Sequence, residues 1–263
     1  RAGRADGIDA FALKHQPRMW DGAANPLAAS GEAEASDAYG LMLGPDPEAT
    51  VRRAFSADAR KKLRSKEKRL VEAHGAITYR RAETADEAAR LLAAFFAQKS
   101  ARFAGMGVSD PYADPAIRAF LTAAATGAEP AVELYALCLA ESGRVLATFG
   151  GAVSERRFSG MMTAFDGDPE IARYSPGDLL LQHLVRDQTA RGRQGFDLGV
   201  GEARYKASIC DETIGLVETI IPVTLRGRIY GALRRGLNRT KRRIKRDPRL
   251  YAVLKKLRTL RRS

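Results

Sequence analysis

The sequence predicts an α/β fold: a mixed, mostly antiparallel β-sheet with helices on both faces. Three observations lead there. From Ala76 the periodicity reads strand, helix, helix, three strands, helix, strand, short link, strand. The three consecutive strands, 131–140, 144–153 and 156–165, are joined by Glu141-Ser142-Gly143 and by Ser154-Glu155, links short enough for hairpins. A helix then separates the strand ending at Phe165 from the next one, which begins at Phe196, so those two should run parallel while their neighbours run antiparallel.

Taken in order, residues 1–55 are rich in Ala, Gly, Asp and Pro, with Gly44-Pro45-Asp46-Pro47 marking a loop and a strand expected near 39–43. This stretch reads as the end of a preceding domain plus a linker, and a start at Arg1 rather than Met reads as a fragment. Ser56 or Asp58 can cap a helix running to about Ala73, with Leu63, Leu70 and Val71 on one side and many basic residues on the other. Residues 76–82 are β-like. Ala88, Leu91, Leu92, Phe95 and Phe96 give 86–104 a helical stripe, and Asp114-Pro115 opens a further helix through Ala125. After a loop over 166–176, Leu180, Leu181, Leu184 and Val185 form the apolar face of a helix over 177–191, with Gly192 and Gly195 bracketing its exit. Strands at 196–200 and 213–224 complete the series. The domain reading is therefore 1–55 as a remnant and linker, 56–225 as the main domain, and 226–263 as a tail.

Composition narrows the function classes. With 45% hydrophobic and 29% charged residues the chain reads as globular. No apolar run approaches the ~20 residues of a spanning helix, and no apolar signal segment lies near the start, so a cytoplasmic protein is expected. Cys138 and Cys210 read as reduced thiols, and His15, His74 and His183 lack metal-site spacing, so no metal is expected. The net charge of +13 belongs to the tail, since residues 226–263 hold 16 Lys or Arg against one acid, Asp247.

The chemistry concentrates between Tyr174 and Lys206. Ser175-Pro176-Gly177 leads into a helix whose free N–H groups and dipole can hold a phosphate, with Gly177 allowing close approach. Asp178 would compete with a bound anion, and an ordinary capped helix explains the same residues. The stretches SADARKKLRSKEKRL, YSPGDLLLQHLV and GFDLGVGEARYK, together with Phe165-Asp166 and Asn25-Pro26-Leu27, resemble the GCN5-related N-acetyltransferase (GNAT) domain of bacterial CelD-like proteins, acetyltransferases involved in cellulose biosynthesis. That resemblance covers most of the chain to about residue 225. It implies a GNAT-like sheet whose parallel central strands, 160–165 and 196–200, are splayed, with the pantetheine arm of acetyl-CoA in the gap. Phe165, Ser175, Pro176, Gly177 and Asp178 would then be the cofactor-binding residues. The family's loop carries Arg or Gln followed by spaced glycines, whereas here Gly177 stands alone; related Fem-type transferases share this reduced loop and take an aminoacyl group from tRNA.

Three residues are catalytic candidates. Asp197 reads as an orienting group or general base, or as a capping carboxylate for the loop that follows; Glu202 is the alternative base. Tyr205 sits where GNAT enzymes often place the tyrosine that protonates the leaving thiolate, and also reads as a packing tyrosine. Gly199, Gly201 and Lys206 are candidates for substrate binding, Lys206 toward Asp197, Glu202, a phosphate or an acidic sugar. His183 reads as a satisfied helix residue. The expected activity is transfer of an acyl group, acetyl from acyl-CoA, to an amine or hydroxyl of a small-molecule, saccharide or lipid-linked acceptor in envelope or polysaccharide synthesis. The alternatives are Fem-like aminoacyl transfer or a non-catalytic scaffold.

The tail carries two apolar stripes among arginines, Tyr230, Leu233, Leu237 and Ile244 before Pro248, and Leu250, Val253, Leu254, Leu257 and Leu260 after it. Such helices read as binders of an anionic membrane surface, here the inner membrane, or of nucleic acid. The scarcity of aromatics for base stacking favours the membrane. A helical hairpin packed on its own domain is the remaining reading.

Overall fold

The computed structural model describes residues 7–20, 22–201 and 204–246. In chain order the elements are β1 (Ala10–Pro17), β2 (Met19–Trp20), β3 (Ala23–Ala24), β4 (Glu32–Ala33), β5 (Ala38–Met42), α1 (Pro47–Ala54), α2 (Ala57–His74), β6 (Ile77–Arg81), α3 (Ala85–Gly105), α4 (Pro115–Thr126), β7 (Val132–Leu139), β8 (Val145–Val153), β9 (Arg157–Phe165), α5 (Pro169–Ala172), α6 (Pro176–Ala190), β10 (Gly195–Val200), α7 (Arg204–Ile209), β11 (Glu212–Ile214), β12 (Leu216–Pro222) and α8 (Leu225–Arg246). The helices start where the sequence supplies an acceptor for otherwise unpaired N–H groups. The Asp46 carboxylate caps α1, the Ser56 hydroxyl α2, Thr84 α3 and Asp114 α4.

The main sheet has seven strands in the order β11-β5-β10-β9-β8-β7-β6. β6 to β9 form an antiparallel run, and β10 lies parallel to β9, as the helix crossover predicted. Strand β7 is buried on both faces, and its alternation explains why helices cover both. Tyr135 and Leu137 join α1, α2 and α6 in one core cluster, while Leu134, Ala136 and Cys138 face the other, with Leu91, Leu92 and Phe95 of α3 and Leu121 of α4. Phe95, Phe158 and Phe196 are fully buried, and each such side chain contributes roughly 1.5–3 kcal/mol on leaving water.

Strand β9 changes face partway along. Gly150 of β8 pairs with Met162 but Gly151 pairs with Gly160, so Met161 is an extra residue, a β-bulge. Phe158 therefore points into the α6-side core, whereas Met162 and Ala164, also at even positions, point to the α3 side.

The described residues form two compact units: residues 40–199 with 204–212, and residues 7–20 and 22–39 with 200–201 and 213–246. The sequence reading placed boundaries near residues 55 and 225. β1 pairs antiparallel with β12 across about 200 residues of sequence, from Ala10↔Pro222 to Pro17↔Leu216. β4 pairs on the other edge of β12 to complete a three-stranded sheet, against which α8 packs. The second tail stripe, beyond Pro248, lies outside the described residues. Among the described residues no helix is long and apolar enough to cross a membrane.

Candidate active site

β9 and β10 hold together over only three pairs, Arg157↔Gly195, Phe158↔Phe196 and Ser159↔Asp197, although β9 continues to Phe165 and β10 to Val200. Beyond that base the registered pairing stops. Two glycines permit the tight crossing where it stops. A Cβ on Gly160 would lie 2.8 Å from the Asp197 carbonyl oxygen and 2.6 Å from the Phe149 ring, and Gly199 has a φ of 74°, with an added Cβ 3.1 Å from the Gly160 carbonyl oxygen. Below the crossing Phe158 stacks on Phe196, ring centroids 5.2 Å apart, and Phe149 packs against both.

The base is clamped electrostatically. The Arg157 guanidinium donates to one Asp197 carboxylate oxygen from Nε at 2.8 Å and from Nη2 at 2.6 Å, and the Ser159 hydroxyl donates to the other at 2.8 Å. Arg157 also pairs with Glu212. Burial disfavours the Arg157 charge, but the two carboxylates outweigh it and raise its pKa above the ordinary value. Asp197, a sequence candidate for base or orienting group, thus has both oxygens engaged. Its partners are on β9, not in the loop it was read as capping.

Helix α6 begins near the far end of β9, where a Cβ on Gly177 would come 3.8 Å from Phe165. Ser175 adopts a left-handed conformation (φ 55°, ψ 56°) and makes no side-chain cap. For a residue other than glycine that costs about 1–2 kcal/mol, and such strain concentrates at functional positions. Its carbonyl oxygen accepts from the Asp178 and Leu179 N–H groups. Pro176 has no N–H, so the Gly177 N–H is the one left over in this turn. A Cβ at Gly177 would meet only Phe165, at 3.8 Å, so the space in front of the turn is open.

From α2, Lys66 reaches this turn, its Nζ donating to Ser175 Oγ at 2.6 Å. Lys66 and Lys62, one turn apart, line a cavity of about 290 Å³ with Phe55, Leu63, Asp178 and Ile209. Asp178 retains exposure to solvent, yet the protein packed around its carboxylate raises its pKa, opposed by the Lys66 charge. Lys62 and Lys66 bring two positive charges to this cavity, and Asp178, in the first turn of α6, brings an opposing carboxylate. Lys66 was not singled out in the sequence, although its i, i+4 spacing with Lys62 on the side of Leu63 and Leu70 was a usable signal.

At the far end of β10, Lys206 is buried and its Nζ donates to the Gly199 carbonyl oxygen at 3.0 Å; burial lowers its pKa. The Gly201 N–H donates to the Asp37 carbonyl oxygen at 3.1 Å. Glu202 and the side chain of Tyr205 lie outside the described residues. His183, midway along α6, stacks on Tyr79, and burial pushes its pKa down to about 4. Cys138 and Cys210 are free thiols, and burial raises Cys210 to about 11. Among the described residues no cluster of His, Cys, Asp or Glu could hold a metal ion.

Comparison with known proteins agrees with this geometry. The sequence model described as "Acetyltransferase (GNAT) domain" matches residues 57–207. No curated protein matches in sequence. Among solved structures the chain is similar to FemX, with a TM-score of 0.55 at 9% identity over 88% of this chain and 76% of that one. It is also similar to the C-terminal domain of an assigned lysylphosphatidylglycerol synthetase from Agrobacterium fabrum, with a TM-score of 0.50 at 12% identity over 83% and 70% of the two chains. At these identities the two structures speak for the fold alone. The matched segment runs from α2, which supplies Lys62 and Lys66, through the β9–β10 crossing to Lys206, and on that match the chain belongs to the GNAT acetyltransferase family.

Proposed function

We propose that the chain transfers an acyl group, acetyl from acetyl-CoA, to an amine or hydroxyl of a saccharide or lipid-linked envelope precursor. The observation that carries the reading is the parallel β9–β10 pair whose pairing ends at Ser159 and Asp197, with α6 starting near the far end of β9. Backbone groups freed from sheet pairing there are available to a pantetheine amide and to the thioester carbonyl, while Lys62, Lys66 and the Gly177 N–H would hold the donor phosphates. In the transfer the acceptor nitrogen or oxygen bonds to the carbonyl carbon and loses a proton to Glu202. The C–S bond breaks, and Tyr205 gives its hydroxyl proton to the departing sulfur. Asp197 acts as a positioning residue, holding the two strands at the point where they divide. Lys206 would face an anionic group of the acceptor.

A second reading, aminoacyl transfer from tRNA in the manner of Fem-type proteins, is favoured by two observations. The α6 turn offers a single leftover N–H, and α2 exposes Lys61, Lys62, Arg64, Lys68 and Arg69 to solvent. Calorimetric titration of the full chain with acetyl-CoA, and separately with aminoacyl-tRNA, distinguishes the two. Heat with acetyl-CoA at micromolar to millimolar concentration supports the first reading; heat only with the RNA replaces it with the second.

A further inference from the structure

The helix α8 is oriented against the usual rule for amphipathic helices. Leu225, Ile229, Leu233 and Leu237 recur every fourth residue, and such a stripe normally turns to the core. Here it faces outward: Leu225 is 73% exposed, Ile229 57%, Leu233 71% and Leu237 48%. The side toward the β1-β12-β4 sheet carries Gly227, Gly231, Arg234, Asn238 and Arg242 instead. A Cβ on Gly227 would fall 1.8 Å from the Asp9 carbonyl oxygen, so only glycine fits there.

Charge fixes this orientation. Glu218 of β12 has a side chain only 2% exposed, and Arg234 Nε donates to its two oxygens at 3.0 and 3.3 Å, with Asn238 donating as well. Arg239 pairs with Glu32 at 2.7 Å, and Arg242 donates to the Ala33 carbonyl oxygen at 3.3 Å. Rolling the leucines inward would strand the Glu218 carboxylate in a buried site without its partners, and removing one partner of a buried charge is costly. The apolar stripe is therefore held outward.

We infer that α8 is a membrane-surface helix that lays Leu225, Ile229, Leu233 and Leu237 into the headgroup region of an anionic phospholipid bilayer. This inference is independent of the acyl donor and acceptor. Three features select that occupant. Exposed Arg226, Arg228, Lys241 and Arg243 flank the stripe along the helix, and α8 contains no acidic residue. Lys and Arg at such borders reach phosphates while their stems cover apolar surface. A second copy of this helix would bring like charges together. RNA would leave the leucines without a partner, and α8 offers one aromatic residue, Tyr230, for stacking.

The test is co-sedimentation of the full chain with vesicles of phosphatidylglycerol and phosphatidylcholine, compared with pure phosphatidylcholine, at low salt. Binding to the anionic vesicles alone is expected, with the double variant Ile229→Ser/Leu233→Ser reducing partitioning at least about tenfold. Both side chains point into solvent, so the thermal unfolding of the variant should match the parent and exclude misfolding. Equal partitioning of parent and variant would overturn the inference. So would a parent that ignores anionic vesicles, whether it binds RNA instead or forms a dimer that the double variant dissolves.

Discussion

Replacing Arg157 by Met removes the clamp at the base of the β9–β10 crossing and measures what holds the candidate site together. The Arg157 side chain is 12% exposed and that of Asp197 8%, so solvent screens the pair little. Breaking a buried pair from one side costs about 3–5 kcal/mol, because the remaining carboxylate stays buried without its counter-charge. Two details place the effect at the lower end. Ser159 still donates to Asp197, and Glu212, 31% exposed, can be rehydrated. A loss of about 3 kcal/mol is expected, a large part of the 5–15 kcal/mol typical of a domain. With a urea slope of about 2 kcal/mol/M the midpoint should fall by about 1.5 M. The double variant Arg157→Met/Asp197→Leu should regain most of that loss, since neither charge is then left alone. A single-variant loss below about 1 kcal/mol, or a double variant less stable than the single, would refute the clamp.

Three further outcomes follow from the same geometry. Gly177→Glu should leave the urea midpoint nearly unchanged, since a Cβ there meets only Phe165 at 3.8 Å, yet weaken acetyl-CoA binding in calorimetry at least about 100-fold; retained affinity would make the α6 turn purely structural. Tyr205→Phe should lower turnover more than donor binding, and equal rates would clear it of proton transfer. His183 titrates near 4 in the folded chain and near 6.5 unfolded, so below about pH 6.5 the unfolded state binds the extra proton and stability falls as pH drops toward 4. With the side chain 32% exposed, that contribution is discounted to about 1–2 kcal/mol; His183→Gln should flatten the pH dependence of the melting temperature over this window, and parallel curves would exclude His183 as its source.

What could be read from the sequence was local. The Leu91, Leu92, Phe95 and Phe96 stripe, the turns at Ser142-Gly143 and Ser154-Glu155, and the crossover between Phe165 and Phe196 rest on periodicity and turn chemistry over a few residues, and they set the central sheet. The pairing of β1 with β12 and the place of β5 beside β10 were not legible, because long-range strand pairing leaves no period in either segment. The site divides in the same way. Ser175-Pro176-Gly177 announced a helix start, but the left-handed Ser175 has no residue-type signature, since Ser rarely adopts that conformation. The Arg157–Asp197 clamp joins positions 40 apart, and no spacing rule reports it. In α8 the stripe was visible, while its outward direction depends on Glu218, which belongs to another element.

The pairing of β1 with β12 also bears on the order in which the chain can fold. During synthesis all strands of the seven-stranded sheet are available once Ile214 has emerged, and most of its contacts lie between strands close in sequence. β1 is made about 200 residues ahead of its partner, which is not complete until Pro222, and the helix that covers the pair ends at Arg246. Until then β1 presents unpaired backbone N–H and C=O groups, the kind of edge that recruits other chains. The exposed Phe11 and Ile221, paired across the two strands, would add an apolar surface to that waiting edge. Aggregation during synthesis should therefore arise at β1, the strand that waits longest for its partner.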